Sequence, residues 1–140
     1  MIKVVFDTVI FVRGLINPHN FAGKVLFTKS SQYRLFVSKP VLVEILEVLQ
    51  RPELTSKFKT IKNLDKTRIL HLLKRAEVIE VKGDSTASRE LKDNKFLALA
   101  EVAKADYLVS EDRDLLDLKE YKNTKIIDTE TFLNVLSPAN

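Results

Sequence analysis

Residues 90–116 read ELKDNKFLALAEVAKADYLVSEDRDLL, a stretch that predicts a helix, a strand and an acidic turn in that order. Apolar residues recur at helical spacing from about Glu90 to Lys104, whereas Tyr107–Ser110 is a short run rich in β-forming side chains. A helix that leads into a short apolar strand is half of a β–α–β unit, in which the two strands are parallel. This stretch therefore indicates an α/β fold.

The rest of the chain shows the same alternation of short apolar runs and longer helical patterns. The predicted strands are Ile2–Phe6, Leu35–Val37, Val78–Val81, Tyr107–Ser110 and Lys125–Ile127. The predicted helices lie around Phe21–Ser31, from Pro40 to about Arg51, within 53–76, over Glu90–Lys104 and after Asp128, with a short turn or helix from Asp112. The sequence thus predicts one domain over residues 1–140, a three-layer α/β/α sandwich on a mostly parallel, roughly five-stranded sheet.

The composition is that of an ordinary globular protein. The 140 residues include 45% apolar and 30% charged side chains, which excludes a disordered chain. There are no cysteines, so disulfides and thiolate metal sites are excluded. No apolar run approaches the ~18 residues of a membrane span, and the N-terminus lacks the pattern of a signal peptide. We expect a soluble cytoplasmic protein with no membrane contact.

Positive charge is concentrated in one part of the chain. With 23 Lys and Arg against 19 Asp and Glu, the net charge of the whole sequence is +4. Residues 51–75 hold eight basic and two acidic side chains, a net of +6, so the remaining residues sum to −2. A basic segment beside a slightly acidic body is a candidate nucleic-acid contact. A solvated helix face explains the same charges equally well.

Two aspartates follow predicted strands. Asp7 ends the first strand, and Asp112 comes two residues after Tyr107–Ser110. If these strands are neighbours in a parallel sheet, the two carboxylates meet at its carboxyl edge, where such folds bind ligands. Asp112 has an ordinary alternative role as the N-cap of the turn that follows it. Asp7 lacks that alternative, because no helical pattern is recognisable directly after it.

Two more acidic residues can be placed by helix geometry, at ~100° per residue. Glu44 falls on the margin of the apolar stripe of its helix, whereas Glu47 points away from that stripe. Asp93 lies inside the apolar arc of the first turn of the later helix, where interaction with the helix dipole is its ordinary explanation.

Four carboxylates at one edge would repel one another, because an unpaired buried charge costs several kcal/mol. Either they are separate and solvated, or a cation joins them. Carboxylate oxygens without Cys or His are typical ligands of Mg²⁺ or Mn²⁺.

Three segments together resemble the PIN-domain family. They are VVFDTVIFVRGL, PVLVEILEVLQRP and the stretch quoted first, in the family's order, and the resemblance covers residues 2–136. The nearest subgroup is formed by the toxin components of prokaryotic toxin–antitoxin pairs (VapC-like proteins). The resemblance implies an α/β/α sandwich, Mg²⁺- or Mn²⁺-dependent cleavage of single-stranded RNA, a cognate antitoxin and a homodimer.

The same resemblance implies a set of catalytic and metal-binding residues. Asp7, Glu44, Asp93 and Asp112 match the family's four acidic positions, and Asp114 matches an accessory acidic position. They would bind one or two divalent ions, Glu44 directly or through water, and the ions would activate a water and stabilise charge on the phosphate.

Substrate contacts follow from the basic residues and the hydroxyls near the motifs, since phosphate binding needs positive charge and donors. The candidates are Thr8, Ser110, Arg13, Lys39, Lys57, Lys59 and Lys62. Candidate stacking surfaces for bases are Phe11, Tyr33, Phe58 and Tyr121, each of which an ordinary core or surface position explains as well.

Departures from the family pattern keep a second hypothesis open. Val9 stands where the family has Asn, Glu111 replaces a Gly and adds negative charge near the metal, and Glu90-Leu91 stands where Asp-Pro is common. The alternative is a catalytically degenerate PIN fold that binds RNA or a protein. A haloacid-dehalogenase-type phosphotransferase also has an Asp after its first strand, but it needs a second Asp at the position of Val9.

Overall fold

The computed structural model describes residues 1–82 and 94–136, and a single six-stranded sheet lies at its centre. The strands are β1 (Ile2–Phe6), β2 (Tyr33–Val37), β3 (Glu77–Val78), β4 (Tyr107–Val109), β5 (Glu120–Tyr121) and β6 (Thr124–Ile127). Their order in the sheet is β3-β2-β1-β4-β6-β5, and every neighbouring pair is parallel except β5 with β6. The strand order therefore reverses at β1, which places a crevice where β1 and β4 end.

Helices connect the strands. They are α1 (Thr8–Ile16), α2 (Phe21–Gly23), α3 (Lys39–Leu49), α4 (Pro52–Lys57), α5 (Asn63–Arg75), α6 (Asn94–Ala103), α7 (Arg113–Leu116) and α8 (Thr129–Val135). A π-helical turn, Lys24–Thr28, and a 3₁₀ turn, Ser30–Gln32, lie between α2 and β2. No helix among the described residues has both the length and the apolar character needed to cross a membrane.

An aromatic cluster on one side of β1 forms part of the core. The ring of Phe6 lies 5.2 Å from Tyr33, 5.9 Å from Phe132 and 6.0 Å from Phe11, measured between centroids. Phe11 and Tyr33 are buried, and the Tyr33 hydroxyl donates to the carbonyl oxygen of Val25 in the π-helical turn. These two rings are therefore core residues, which is the ordinary explanation that the sequence offered for them, and they are not surfaces on which bases stack.

The predicted fold class is confirmed, with corrections to its details. The sheet has six strands, because the short strand β5 pairs antiparallel with β6 at one edge. The predicted helix in 53–76 is two helices, α4 and α5, since Phe58 has an extended backbone and Ile61 is buried between them. The predicted strand Val78–Val81 is the shorter Glu77–Val78.

The largest correction is α1, which begins directly after β1. Its buried side follows helical spacing, but Val9, Val12 and Ile16 are apolar as well and lie outside that side. This excess of apolar residues hides the helical period and makes the segment read as a continuation of the strand. Asp7 is therefore the N-cap of a helix, contrary to the expectation that no helix starts there.

Candidate active site

The candidate site is built around Asp7, at the point where β1 ends. The Asp7 side chain is 7% exposed, and its Oδ1 accepts the N–H of Val9 at 3.3 Å as the N-cap of α1. The N-cap role explains an Asp at this position. It does not explain burial, because most caps remain in contact with water.

Ser110 connects Asp7 to Asp112 across two neighbouring strands. The parallel pairing of β1 with β4 sets Phe6 beside Val109, so Asp7 and Ser110 leave the sheet side by side. The hydroxyl of Ser110 donates to Oδ2 of Asp7 at 2.8 Å and accepts the N–H of Asp112 at 2.9 Å. Ser110 is fully buried, so it positions Asp7 and does not offer its hydroxyl to a substrate.

Asp112 is the N-cap of α7, as its alternative explanation in the sequence predicted. Its Oδ1 accepts the N–H of Asp114 at 3.0 Å, and Asp114 itself is exposed in the first turn of α7. A carboxylate that caps a helix keeps acceptor sites free, because it offers about four lone pairs. The capping role and a ligand role for Asp112 are therefore compatible.

Three carboxylates share one electrostatic environment at this edge. Burial raises the pKa of Asp7 above its ordinary value, and the negative charges of Asp112 and Glu44 raise it further. The hydrogen bonds from Ser110 and Val9 lower the pKa of Asp7 but do not offset burial. An ionised Asp7 is thus costly in the protein alone, and a bound cation would favour its ionised form.

Glu44, on α3, already has donors at both oxygens. Thr8 donates its hydroxyl to Oε2, and the Lys95 Nζ lies 2.7 Å from Oε1. Burial raises the pKa of Glu44, but Lys95 and Thr8 outweigh it and hold that pKa below its ordinary value. The hydroxyl of Thr8 donates to Glu44, so the predicted contact of Thr8 with substrate would require this hydrogen bond to be replaced.

Lys95, in the first turn of α6, is a site residue that sequence reasoning missed. No local pattern marks it, because its partner lies on a different helix far away in the chain. Only the packing of α6 against α3 brings the two charges together.

Glu111 is turned away from Asp7. Its Oε1 accepts the backbone N–H of Thr129 at 3.1 Å and the Thr129 hydroxyl at 2.5 Å, at the start of α8. The carboxylates that raise the pKa of Asp7 are those of Asp112 and Glu44. The expectation that Glu111 adds its charge to the metal-binding edge is therefore corrected: its charge is used at the N-terminus of α8.

The donor set fits an open divalent-cation site but does not form a complete cage. Asp93 lies outside the described residues, and within residues 1–82 and 94–136 no three Asp, Glu or His side chains are grouped to hold a metal ion. Asp7 and Asp112 remain as a linked pair with free lone pairs. Mg²⁺ is commonly bound through one or two carboxylates, with waters and substrate phosphates completing its shell.

The basic segment is divided between two places. Lys57, Lys59 and Lys62 line a groove of about 670 Å³ beside the C-terminal end of α1, where the Thr60 hydroxyl donates to the Ile16 carbonyl oxygen at 2.8 Å. Phe58 lines the same groove and is partly exposed.

Most of the other basic residues of the segment lie on α5, and Arg51 is the N-cap of α4. Arg68 pairs with Asp65 at 3.5 Å and stacks on the Phe27 ring. Arg75 lines a groove beside Met1 and Tyr33, where the first two strands begin, at the edge of the sheet opposite Asp7. The segment is therefore not one continuous surface facing the acidic edge.

The other predicted contacts are on the surface. Arg13, on α1, and Lys39, at the start of α3, are both exposed. Tyr121 is partly exposed, and its hydroxyl donates to Oε1 of Glu101 at 3.1 Å.

Comparison with known proteins identifies the family. A family model described as PIN domain matches residues 3–114 of this chain. The chain belongs to the PIN domain family. An uncharacterized protein of Methanocaldococcus jannaschii, MJ1680, is 32% identical over 124 residues, which are 85% of this chain and 76% of that protein.

Solved structures show the same PIN fold. VapBC from Salmonella typhimurium, in a DNA-bound crystal structure, has a TM-score of 0.59 at 14% identity, over 92% of this chain and 99% of that one. VapBC2 from Rickettsia felis, bound to a DNA fragment from its promoter, has a TM-score of 0.56 at 19% identity, over 91% and 98%. PAE2754 from Pyrobaculum aerophilum has a TM-score of 0.57 at 17% identity, over 96% and 88%. PIN domain proteins are generally nucleases. At identities of 14–19%, the three solved structures show that this chain shares their fold.

Proposed function

We propose that this protein is a Mg²⁺- or Mn²⁺-dependent endoribonuclease that cleaves single-stranded RNA and acts as the toxin of a toxin–antitoxin pair. The observation that carries the proposal is the buried Asp7, linked through Ser110 to Asp112, with a pKa raised by burial and by two neighbouring carboxylates. Carboxyls whose pKa is shifted by burial and by neighbouring charges are more common at catalytic sites than elsewhere.

In this proposal Asp7 and Asp112 would hold the divalent ion, and Asp93 and Asp114 are further ligands implied by the family. The ion, when bound, supplies an activated water and stabilises charge on the scissile phosphate. Ser110 fixes the Asp7 carboxyl, and Thr8 fixes that of Glu44.

The lysine groove supports an extended polyanionic substrate. α1 has nine residues, a length of about 13 Å, with Asp7 at one end and the groove of Lys57, Lys59 and Lys62 at the other. A single strand that lies along α1 would meet the acidic edge and the lysines at once. Arg13, exposed on α1, and Lys39 are further phosphate contacts in this proposal. Phe58 lines the same groove, and in this proposal it is the aromatic side chain on which a base stacks.

The central experiment measures cleavage of a labelled, unstructured RNA with Mn²⁺, with EDTA and with Asp7→Asn. We expect cleavage with Mn²⁺ alone, none with EDTA and none with Asp7→Asn. Asp128→Asn is the matched control, since Asp128 also caps a helix after a strand, but hydrogen bonds lower its pKa and no neighbouring carboxylate of the described residues is among the causes of the shift. Equal cleavage with and without EDTA would contradict metal dependence, and equal cleavage of single-stranded DNA would contradict the choice of RNA.

The toxin role has a separate test. Expression of the parent protein in bacterial cells is expected to arrest growth, and Asp7→Asn is expected to relieve the arrest. Co-expression of a small protein encoded next to the gene identifies an antitoxin if it restores growth and co-purifies with the parent. If the protein cleaves RNA but its expression does not affect growth, the nuclease proposal stands and the toxin role is contradicted.

One observation favours the degenerate binding module as a second candidate. Val9 is 37% exposed beside Asp7 and gives the site an apolar group where the family has an amide. A melting temperature that Mn²⁺ does not change, in a parent protein that still binds RNA, would favour this candidate.

A further inference from the structure

The Glu44–Lys95 ion pair introduces a positive charge into the acidic edge. The two charged atoms are 2.7 Å apart, and the side chains are 34% and 31% exposed. Surface ion pairs of long side chains contribute little to stability on average. The position of this pair next to Asp7 therefore calls for an explanation other than stability.

Three helices hold the pair in place. Thr8, the residue after Asp7, donates to the Glu44 oxygen that Lys95 does not bind. Lys95 extends from α6 with its Nζ 5.3 Å from the centroid of the adjacent Phe96 ring, which is buried. Both oxygens of Glu44 are thus engaged, and Lys95 is held at a defined distance from them.

We propose that Lys95 is a tethered cation of the active site, which neutralises Glu44, so that a divalent ion binds to the other carboxylates of this edge, Asp7 and Asp112 among them, and not to Glu44. The inference rests on the proposed function, because it concerns the same site. Glu44 then acts as a positioning residue, through Thr8 and Lys95, and is not a direct metal ligand.

The net charge of the Glu44–Lys95 pair determines its effect on a divalent ion. The charges of Glu44 and Lys95 sum to zero, so the pair adds no net charge to the edge where Asp7 and Asp112 lie. Removal of Glu44 alone leaves the Lys95 charge uncompensated, and like charges repel. Removal of Lys95 alone leaves an additional negative charge that attracts the ion.

A direct-ligand role for Glu44 makes a different prediction. In that case the ion displaces Lys95, and any variant without the Glu44 carboxylate binds the ion weakly, whether or not Lys95 is present. The double variant Glu44→Gln with Lys95→Met separates the two roles. It removes both charges, so its net charge equals that of the ion pair, but it lacks the Glu44 carboxylate.

The experiment is a Mn²⁺ titration followed by electron paramagnetic resonance of the free ion, without RNA. Parent, Glu44→Gln, Lys95→Met, the double variant and Lys95→Arg are compared. We expect Glu44→Gln to weaken Mn²⁺ binding and Lys95→Met to strengthen it, each on the order of tenfold. The double variant and Lys95→Arg are expected to stay within about threefold of the parent, because the local net charge is unchanged.

Two results overturn the inference, and they have different meanings. Binding in the double variant as weak as in Glu44→Gln would show that Glu44 is itself a ligand, and the nuclease proposal would stand. No Mn²⁺ binding by the parent would overturn the metal dependence of the proposed function together with the tethered cation. Melting curves in EDTA check that each variant folds, and Lys95→Gln replaces Lys95→Met if that variant does not.

Discussion

Asp7 and Asp128 occupy the same local position in two regions of the molecule. Each follows a strand and caps the helix that comes next, Asp7 before α1 and Asp128 before α8. Burial and two neighbouring carboxylates raise the pKa of Asp7, whereas hydrogen bonds from Thr131 lower the pKa of Asp128. The capping pattern alone therefore does not identify a metal-binding site. The tertiary surroundings shift the pKa of the two caps in opposite directions, and only Asp7 has the environment that we propose for a metal-binding carboxyl.

The strongest test of this contrast is Asp7→Asn beside Asp128→Asn. Asn caps helices about as well as Asp, so neither variant loses its cap. Because the pKa of Asp7 is higher in the folded protein than in the unfolded chain, its protonated form favours the folded state in acid. This stabilisation is lost as pH rises through the folded pKa. In EDTA at neutral pH, Asp7→Asn should therefore raise the melting temperature.

The same substitution should reduce Mn²⁺-dependent RNA cleavage by more than ~100-fold, since even the loss of an outer-shell partner costs 10–100-fold. Asp128→Asn should leave cleavage unchanged and should not raise the melting temperature. A lower melting temperature for Asp7→Asn would contradict the view that its charge is unfavourable in the free protein.

Ser110→Ala removes the hydroxyl that links Asp7 to Asp112, a link that Asp128 does not have with Ser110. The partly buried N–H of Asp112 then loses its acceptor, so we expect a loss of about 1 kcal/mol in the free energy of unfolding, measured by denaturant titration. We also expect a 10–100-fold weaker affinity for Mn²⁺ by calorimetry. Thr131→Ala, beside Asp128, is the control and should leave Mn²⁺ affinity unchanged.

Glu111→Gly tests the second departure from the family pattern. The variant loses two hydrogen bonds to Thr129 and gains backbone freedom, which together cost about 1–3 kcal/mol of stability. Because the Glu111 carboxylate is held at α8, restoring the family's glycine should leave Mn²⁺ affinity within about threefold of the parent. A large gain in affinity would show that Glu111 does impair the site.

Asp128→Ala gives the smallest expected effect, about 0.5–2 kcal/mol at neutral pH, from the loss of an N-cap. The folded pKa of Asp128 is below its ordinary value of 3.8, so its contribution is present above that value and is lost as pH falls through the folded pKa. The difference in unfolding free energy between parent and variant should therefore shrink in acid. A difference that stays constant down to low pH would contradict the charge-assisted cap.

The sequence was a good guide to the elements and to the two aspartates at the strand ends, since both depend on short-range patterns. It failed for α1, where apolar residues outside the buried side obscured the helical period. For Phe11 and Tyr33 it left a core position and a stacking surface both open, because their burial depends on the packing of Phe6 and Phe132. The metal-binding roles of all the acidic residues stay predictions: Asp7, Glu44, Asp93, Asp112 and Asp114.

The sequence by itself determined the α/β class, the parallel strands and the positions of Asp7 and Asp112, because alternating periods and strand ends are local properties. The tertiary structure alone decided that Ser110 joins those two aspartates, that Lys95 pairs with Glu44 and that Glu111 turns to Thr129. Each of these contacts joins residues on different elements. Their partners are set by how strands and helices pack, which no local pattern encodes.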